Sequence, residues 1–367
     1  MATQKTMKAV VFGGVRKVSV EDRPVPQRES PPSSPSSVHV QDEKDVILKV
    51  HATALCGSEL HTYRGLDPHA AAGFIMGHEF TGEVVEAGSA VKTLEVGDKV
   101  VVPFTTSCGE CFYCKLGASA RCANGLLFGC AKLDGGQAEY VRVPLADGTA
   151  VKAPAEVDDR ALILMGDIFP TGFFGARNAF RWIEPQRPSD ATVVVIGCGP
   201  VGLCAIVAAL EYKPRHLFAV DSVESRLELA RGLGAEPLNF MTDAEGMRRR
   251  VLEVTEGRGA DAVVEVVGLT PAMRTAYDLI RPFGVISSIG VHHGEIPFHG
   301  DDGYNKNVRL LMGRCPVRSI FPDALKVLAK QQHLFSFMFE KITPLSDAVE
   351  AYDLFDKMKV QKIVFTP

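Results

Sequence analysis

Four cysteines fall within fifteen residues of one another, in the order Cys108-x2-Cys111-x2-Cys114-x7-Cys122. Thiolates at this spacing converge from one short lobe of backbone onto a common point, the tetrahedral arrangement of a closed zinc site. Disulfides are the poorer reading, because the chain is long, shows no secretory leader and has ample apolar content for a core. Four protein ligands leave no position for substrate or water, so this zinc is expected to be structural. Its binding free energy, about 10–16 kcal/mol in small peptides, would serve folding.

A second chemistry is written in Thr192-Val193-Val194-Val195-Ile196, which runs directly into Gly197-Cys198-Gly199-Pro200-Val201-Gly202-Leu203. A buried strand precedes the glycines, a helical run follows, and Asp221 comes 19 residues after Gly202 at the end of the next strand. That context is the dinucleotide fingerprint. Gly197 and Gly199 let the backbone turn tightly and approach a pyrophosphate. Pro200 suits the first helical position, where its missing N–H is not needed. The amides of Val201 and Gly202 then face the phosphates, assisted by the helix dipole. The Asp221 carboxylate can accept the ribose hydroxyls of NAD but meets the 2′-phosphate of NADP as a like charge. At ~4 Å and an effective dielectric of ~20 that repulsion is about 4 kcal/mol gross, so NAD(H) is expected. Arg226 lies near enough to reach the adenosine ribose and soften the bias.

These motifs need two kinds of scaffold. The first 165 or so residues are rich in valine, glycine and turn signals, with strands expected at Val46–Val50, Gly82–Glu86 and, after a turn, Val96–Val102. Within this β-rich lobe, Pro31–Ser37 reads as a surface loop too polar and proline-rich to pack. From about Pro170 to Gly313, apolar strands (Thr192–Ile196, Leu217–Val220, Ala262–Val267, Val285–Ile289) alternate with helices, the pattern of a doubly wound parallel sheet. Val308–Met312 is a candidate edge strand. The tail reads as helices at Pro322–Gln331 and Leu345–Met358 and a last strand, Lys362–Phe365.

At 367 residues two domains are expected. The 40 basic and 44 acidic side chains give −4, which suggests neither a nucleic-acid footprint nor an anionic-membrane surface. The basic run Arg248-Arg249-Arg250 reads as a solvated helix face. No stretch approaches the roughly 20 apolar residues of a membrane span. The cytoplasm is the expected address.

Three further segments, Cys56-Gly57-Ser58-Glu59-Leu60-His61, Gly77-His78-Glu79-Phe80 and Gly166-Asp167-Ile168-Phe169-Pro170-Thr171-Gly172, carry a resemblance once set beside the knuckle and the glycine loop. The chain resembles the zinc-containing medium-chain dehydrogenase/reductase family, the alcohol dehydrogenase relatives, over nearly its whole length. Gly82–Val85, Val96–Val100 and Gly135–Tyr140 extend the likeness. The resemblance implies an α/β protein with a GroES-like, zinc-binding catalytic domain (1–168 and 314–367) and a Rossmann NAD-binding domain (169–313). It also implies a second, catalytic zinc held by Cys56, His78 and Asp167, where many relatives carry cysteine in place of the aspartate. A helix N-cap for Asp167 and a core role for His78 are the blander readings. Glu79 becomes a carboxylate beside the metal, and Ser58 with His61 a proton relay. Thr171 borders the nicotinamide, and Phe104, Val291 and His292 are pocket positions. A solvated loop is the alternative for His292 and His293. Two positions depart from the commoner pattern: Glu59 stands where aspartate orients the ligand histidine, and Phe174 where many relatives have histidine.

The function expected is hydride transfer between NAD(H) and a small alcohol, aldehyde or ketone, with two zinc ions per chain, in a homodimer or homotetramer joined through the edge strand. The rivals are a reductase of conjugated alkenes or imines, an aldehyde dismutase, and a non-catalytic NAD-binding scaffold. An intact Ser58–His61 pair weighs against the first and last. The substrate is not legible.

Overall fold

The structure is a computed structural model and describes residues 5–26, 43–66, 71–183 and 188–367. The stretch Pro31–Ser37 lies outside the described residues. The chain divides into two compact units, Met1–Asp167 with Pro316–Pro367, and Ile168–Cys315.

The first unit begins with an antiparallel pair, β1 (Thr6–Gly14) and β2 (Lys17–Pro24). Its main sheet is built from β3 (Val46–Leu55), β4 (Glu79–Ala87), β5 (Lys99–Val102), β6 (Tyr140–Val143) and β7 (Val151–Lys152). The strands at Val46 and Gly82 are longer than their sequence signals, because β3 and β4 pair along almost their full length through two register shifts. Alternation does its ordinary work here: Val46, Leu48, Val50, Val84, Val100 and Val102 turn one face into a shared core.

The second unit is an all-parallel sheet of β8 (Thr192–Ile196), β9 (His216–Asp221), β10 (Glu236–Asn239), β11 (Ala260–Glu265), β12 (Ile280–Ser288) and β13 (Arg309–Met312). The order is β10-β9-β8-β11-β12-β13, so the direction of winding reverses between β8 and β11. Both faces of β8 are covered, and all five of its residues are buried, as its unbroken β-branched run requires. β11 ends two residues short of the expected Val267, because the chain turns around the Glu265 carboxylate, which accepts the amides of Val267 and Gly268. The arginine run is not wholly solvated either: Arg248 and Arg249 are exposed, but Arg250 grips Glu236 of β10 through two nitrogens.

The tail returns to the first unit with β14 (Ile342–Pro344) and β15 (Ile363–Thr366), which complete the order β14-β15-β3-β4-β5-β7, β6 pairing with β3. The first tail helix runs Val317–Gln331, beginning before the expected Pro322, which sits inside it. Burial of Val317, Ile320 and Phe321 holds the extra turn despite the proline. The second is a 3₁₀ turn, Leu345–Asp347, followed by the helix Ala348–Asp356. It stops short of Met358, where φ is positive at 54°. Tyr352 and Phe355 of that helix pack with Phe12, Leu55 and Phe365, closing a second core over the end of β3. Among the described residues no helix is long and apolar enough to cross a membrane.

Candidate active site

Two strand ends and one turn in the first unit deliver a set of buried donors. Cys56 follows the last residue of β3, His78 immediately precedes β4 and Glu79 opens it, and Asp167 follows the turn Ile163–Gly166. Gly77 makes the approach to β4 possible. Its φ is +99°, and a Cβ there would meet the Gln137 amide nitrogen at 2.6 Å. One donor atom from each of Cys56, His78, Glu79 and Asp167 lies within 4.8 Å of all the others, and all four residues are buried.

The donor set fits zinc. Bonds of ~2.0–2.3 Å in a tetrahedron put neighbouring donors about 3.3–3.8 Å apart. Cys56 Sγ stands 3.5 Å from Asp167 Oδ2, and His78 Nε2 stands 3.3 Å from the same oxygen. The electrostatics agree. Burial, then the charges of Glu79 and Asp167, push the Cys56 thiol upward. Burial opposes a charge on His78, but Cys56 and Asp167 outweigh it and hold that imidazole well above the usual histidine range. Several groups that prefer to be anionic are crowded out of water, and a divalent cation relieves the crowding. Asp167 and His78 thus place donor atoms in one buried cluster with Cys56 and Glu79.

Other named residues gather around these donors. The Ser58 hydroxyl is 3.3 Å from Cys56 Sγ and 3.3 Å from His78 Nε2. His61 sits one turn further along the short helix Glu59–Tyr63, half-buried. The Phe104 ring stands edge-on to His78, centroids 6.2 Å apart. Glu59 reaches to 3.6 Å from His78 Nδ1 while its other oxygen accepts the Cys56 amide at 2.9 Å.

Sequence reasoning missed the supports of this cluster. The Gln137 amide lies 3.3 Å from both Glu59 oxygens, and the Tyr352 hydroxyl donates to Gln137 at 2.9 Å. Lys362 pairs with Glu79 Oε2, both side chains buried, while among the described residues Glu79 Oε1 has no hydrogen-bond partner. The one signal available for Lys362 was a charged residue heading an apolar strand, Lys362-Ile363-Val364-Phe365. Nothing local distinguished Tyr352.

The knuckle cysteines also converge. Donor atoms of Cys108, Cys111, Cys114 and Cys122 lie within 4.8 Å of one another, with Cys122 Sγ 3.5 Å from Cys108 Sγ and 3.9 Å from Cys111 Sγ. These separations bracket the ~3.8 Å edge of a four-sulfur zinc tetrahedron. Backbone amides of Ala123 and Cys114 lower the Cys111 thiol to about 6. Amide-to-sulfur contacts from Cys108 to Cys122 and from Cys111 to Cys108 shape the lobe to receive a metal.

In the second unit the glycine loop opens the helix Pro200–Leu210. A Cβ on Gly202 would strike the Gly197 carbonyl oxygen at 1.8 Å, whereas one on Gly199 would meet nothing within 4 Å. Gly202 is therefore needed for packing and Gly199 for open approach, and the loop fits a pyrophosphate beneath the unpaired first amides of the helix. Asp221, at the end of β9, is less free than its sequence position suggests. Its oxygens accept the amides of Cys198 (2.7 Å), Ser222 (2.7 Å) and Val223 (2.9 Å), and Arg226 stands 3.9 Å away. Of about four lone-pair positions on a carboxylate, one remains for a ribose hydroxyl.

Thr171 and Phe174 lie on the helix Ile168–Arg181. Val291 is exposed, but the His292 side chain is only 7% exposed, so the solvated-loop reading fails for His292.

Residues 42–155 match the family profile described as the alcohol dehydrogenase GroES-like domain, and residues 200–330 that of the zinc-binding dehydrogenases. Zinc-type alcohol dehydrogenase B of Aspergillus flavus is 61% identical over 365 residues, covering 100% of this chain and 82% of that one. The chain belongs to the zinc-containing medium-chain dehydrogenase/reductase family. Its membership makes it a zinc-dependent oxidoreductase of the alcohol dehydrogenase type. Another relative in the family, a formaldehyde dismutase of Pseudomonas putida, is 32% identical over 407 residues, covering 98% of this chain and 97% of that one. Among solved structures, the alcohol dehydrogenase of Thermus sp. ATN1 superposes with a TM-score of 0.86 at 33% identity, covering 98% of this chain and 99% of the other.

Proposed function

We propose that this dehydrogenase moves a hydride between NAD(H) and a small alcohol or its aldehyde or ketone, using one catalytic and one structural zinc per chain. The observation that carries the reading is the three-donor set of Cys56, His78 and Asp167, spaced as three corners of a zinc tetrahedron with the Ser58 hydroxyl beside it. When bound, zinc supplies the Lewis acidity that acidifies an alcohol oxygen or polarises a carbonyl, and the dinucleotide carries the hydride.

The protein's own residues do the rest. Cys56, His78 and Asp167 would hold the zinc, each offering one donor atom. Ser58 Oγ takes the substrate proton and His61 passes it outward. Glu59, braced by Gln137, keeps His78 in place. Lys362 holds one oxygen of Glu79 and so limits its access to the metal. Phe104 supplies an aromatic wall. Gly197, Gly199, Pro200, Val201 and Gly202 cradle the pyrophosphate, and Asp221 with Arg226 meets the adenosine ribose, favouring NAD over NADP. The edge strand β13 is the surface for a homodimer or for dimers paired into a tetramer. A cytoplasmic location is supported by thiols arranged for metal.

Metal analysis with a screen of primary alcohols, secondary alcohols and aldehydes against NAD and NADP tests this. Two zincs per chain and NAD-linked alcohol oxidation are expected. A single zinc, unaffected by Cys56→Ala, would favour a scaffold instead. A second reading, aldehyde dismutation with retained cofactor, is favoured by the dismutase relative and by Asp167. It predicts that bound NAD(H) fails to exchange with labelled NAD(H) in solution.

A further inference from the structure

The tail helix Ala348–Asp356 carries one wholly buried hydroxyl, that of Tyr352, and the chemistry above gives it no task. It meets Gln137 Oε1 at 2.9 Å, across 215 residues of sequence. Gln137 is also wholly buried, and its backbone is clamped on both sides. Its amide donates to the Met76 carbonyl at 2.9 Å, and its carbonyl accepts the Val10 amide at 2.8 Å. Only the side chain is left to be oriented. Its Nε2 lies 3.3 Å from both Glu59 oxygens. Glu59 Oε2 in turn accepts the Cys56 amide at 2.9 Å, and Oε1 stands 3.6 Å from His78 Nδ1.

These contacts run in one direction. A carboxylate accepts and cannot donate, so the Gln137 NH2 must face Glu59 and its oxygen must face the tyrosine. The Tyr352 hydroxyl is therefore the donor. Burial, then the charge of Glu59, pushes that hydroxyl well above the usual tyrosine range, so it keeps its proton. Without it, Gln137 Oε1 would be a buried acceptor with no partner, and the amide would be free to turn away from the carboxylate. The same tail helix is fastened one turn further on. Asp356 accepts Arg64 Nε at 2.6 Å, at the end of the short helix Glu59–Tyr63. The helix that carries Glu59 and His61 is thus gripped from the tail at both of its ends.

We propose that Tyr352 is a positioning residue of the catalytic zinc site, acting through Gln137 to hold the Glu59 carboxylate between His78 and the Cys56 amide. Glu59 meets one proposed ligand at its ring and another at its backbone, so a carboxylate that tilts loosens both. Tyr352 touches neither the metal donors nor Glu59 itself, and its whole effect passes through the orientation of one amide. The inference rests on the zinc reading above.

The test compares wild type, Tyr352→Phe, Gln137→Met and the double variant, each as the full zinc-loaded chain, by competition with a chelator. Tyr352→Phe should weaken the catalytic-site zinc about tenfold, the scale on which outer partners of metal ligands act. The knuckle zinc should be unchanged, which also reports an intact fold. With cobalt(II) in the catalytic site and zinc in the knuckle, the visible absorption bands of Tyr352→Phe should shift from those of wild type. In the Gln137→Met background the tyrosine substitution should have no further effect on either readout, because the two residues act as one. Equal weakening of both zincs, unshifted cobalt bands, or effects of the two substitutions that simply add would overturn the role of Tyr352 alone. A wild-type chain that binds only the knuckle zinc overturns the zinc reading with it.

Discussion

Lys362 and Glu79 form an ion pair from which water is wholly excluded, and the pair adjoins three candidate metal donors. Burial disfavours the charge on Lys362, yet Glu79 and Cys56 raise its pKa, so the ammonium is retained. Deleting it strands a buried carboxylate. Lys362→Met should cost about 3–5 kcal/mol, as broken buried pairs do. The double variant with Glu79→Gln should be the more stable of the two in urea unfolding of the zinc-loaded protein.

Asp167 is the carboxylate among the three proposed ligands of the catalytic zinc. Asp167→Ala should drop zinc from two to about one per chain and lower kcat at least ~100-fold, the scale seen when a support of a metal is lost. Asp167→Cys should keep both ions, because thiolate is an equally good zinc ligand. Metal analysis and steady-state rates on the same samples check both.

Cys111→Ser should remove one zinc as well, but with the opposite signature. Thermal stability should fall first, and the remaining folded protein should keep its KM. A metal held by all four knuckle cysteines would have no open position and so would act through folding. Scanning calorimetry beside kinetics separates the two sites.

The Cys111 thiol has a folded pKa lowered to about 6 by the amides of Ala123 and Cys114. For a depressed acid, the stabilisation is present above the unfolded thiol's pKa and is lost as pH falls through the folded value. Zinc-free protein should therefore be alkylated at Cys111 with a midpoint near 6. Zinc-loaded protein should release the knuckle metal as pH drops below it. Mass-spectrometric alkylation profiles from pH 5 to 9 test the midpoint, and one near 9 would contradict it.

Asp221→Ser should raise the NADP:NAD ratio of kcat/KM by ~100- to 1,000-fold, the upper figure being the full Coulomb repulsion. Some stability should be lost with it, because the same carboxylate holds the amides of Cys198, Ser222 and Val223.

Much of this molecule was legible in order along the chain. The five residues Thr192–Ile196 read as a strand and are one, because an unbroken β-branched run ahead of a glycine loop has few other fates. The knuckle cysteines were legible from type and spacing, whereas Cys56, His78 and Asp167 were named only through the family resemblance; the structure brings the donor atoms of each set together. What escaped was long-range. The tail helix begins before Pro322 because tertiary burial overrides a local preference. Gln137, Tyr352 and Lys362 support donors that lie far from them in sequence, and no periodicity marks such pairings. Glu265 hides in the same way, since only the parallel register of β11 and β12 brings Ser288 beside it.

β15 pairs antiparallel with β3, setting Ile363 opposite Leu55, and so carries Lys362 to the neighbourhood of Cys56. The counter-charge of the metal cluster is thus made last, after every donor has been synthesised. A nascent chain holds its cysteine, histidine and carboxylates with no ammonium to balance them until the final strand docks. Premature termination or tail trimming ahead of Lys362 would leave Glu79 without its buried counter-charge, though it removes none of Cys56, His78, Glu79 and Asp167.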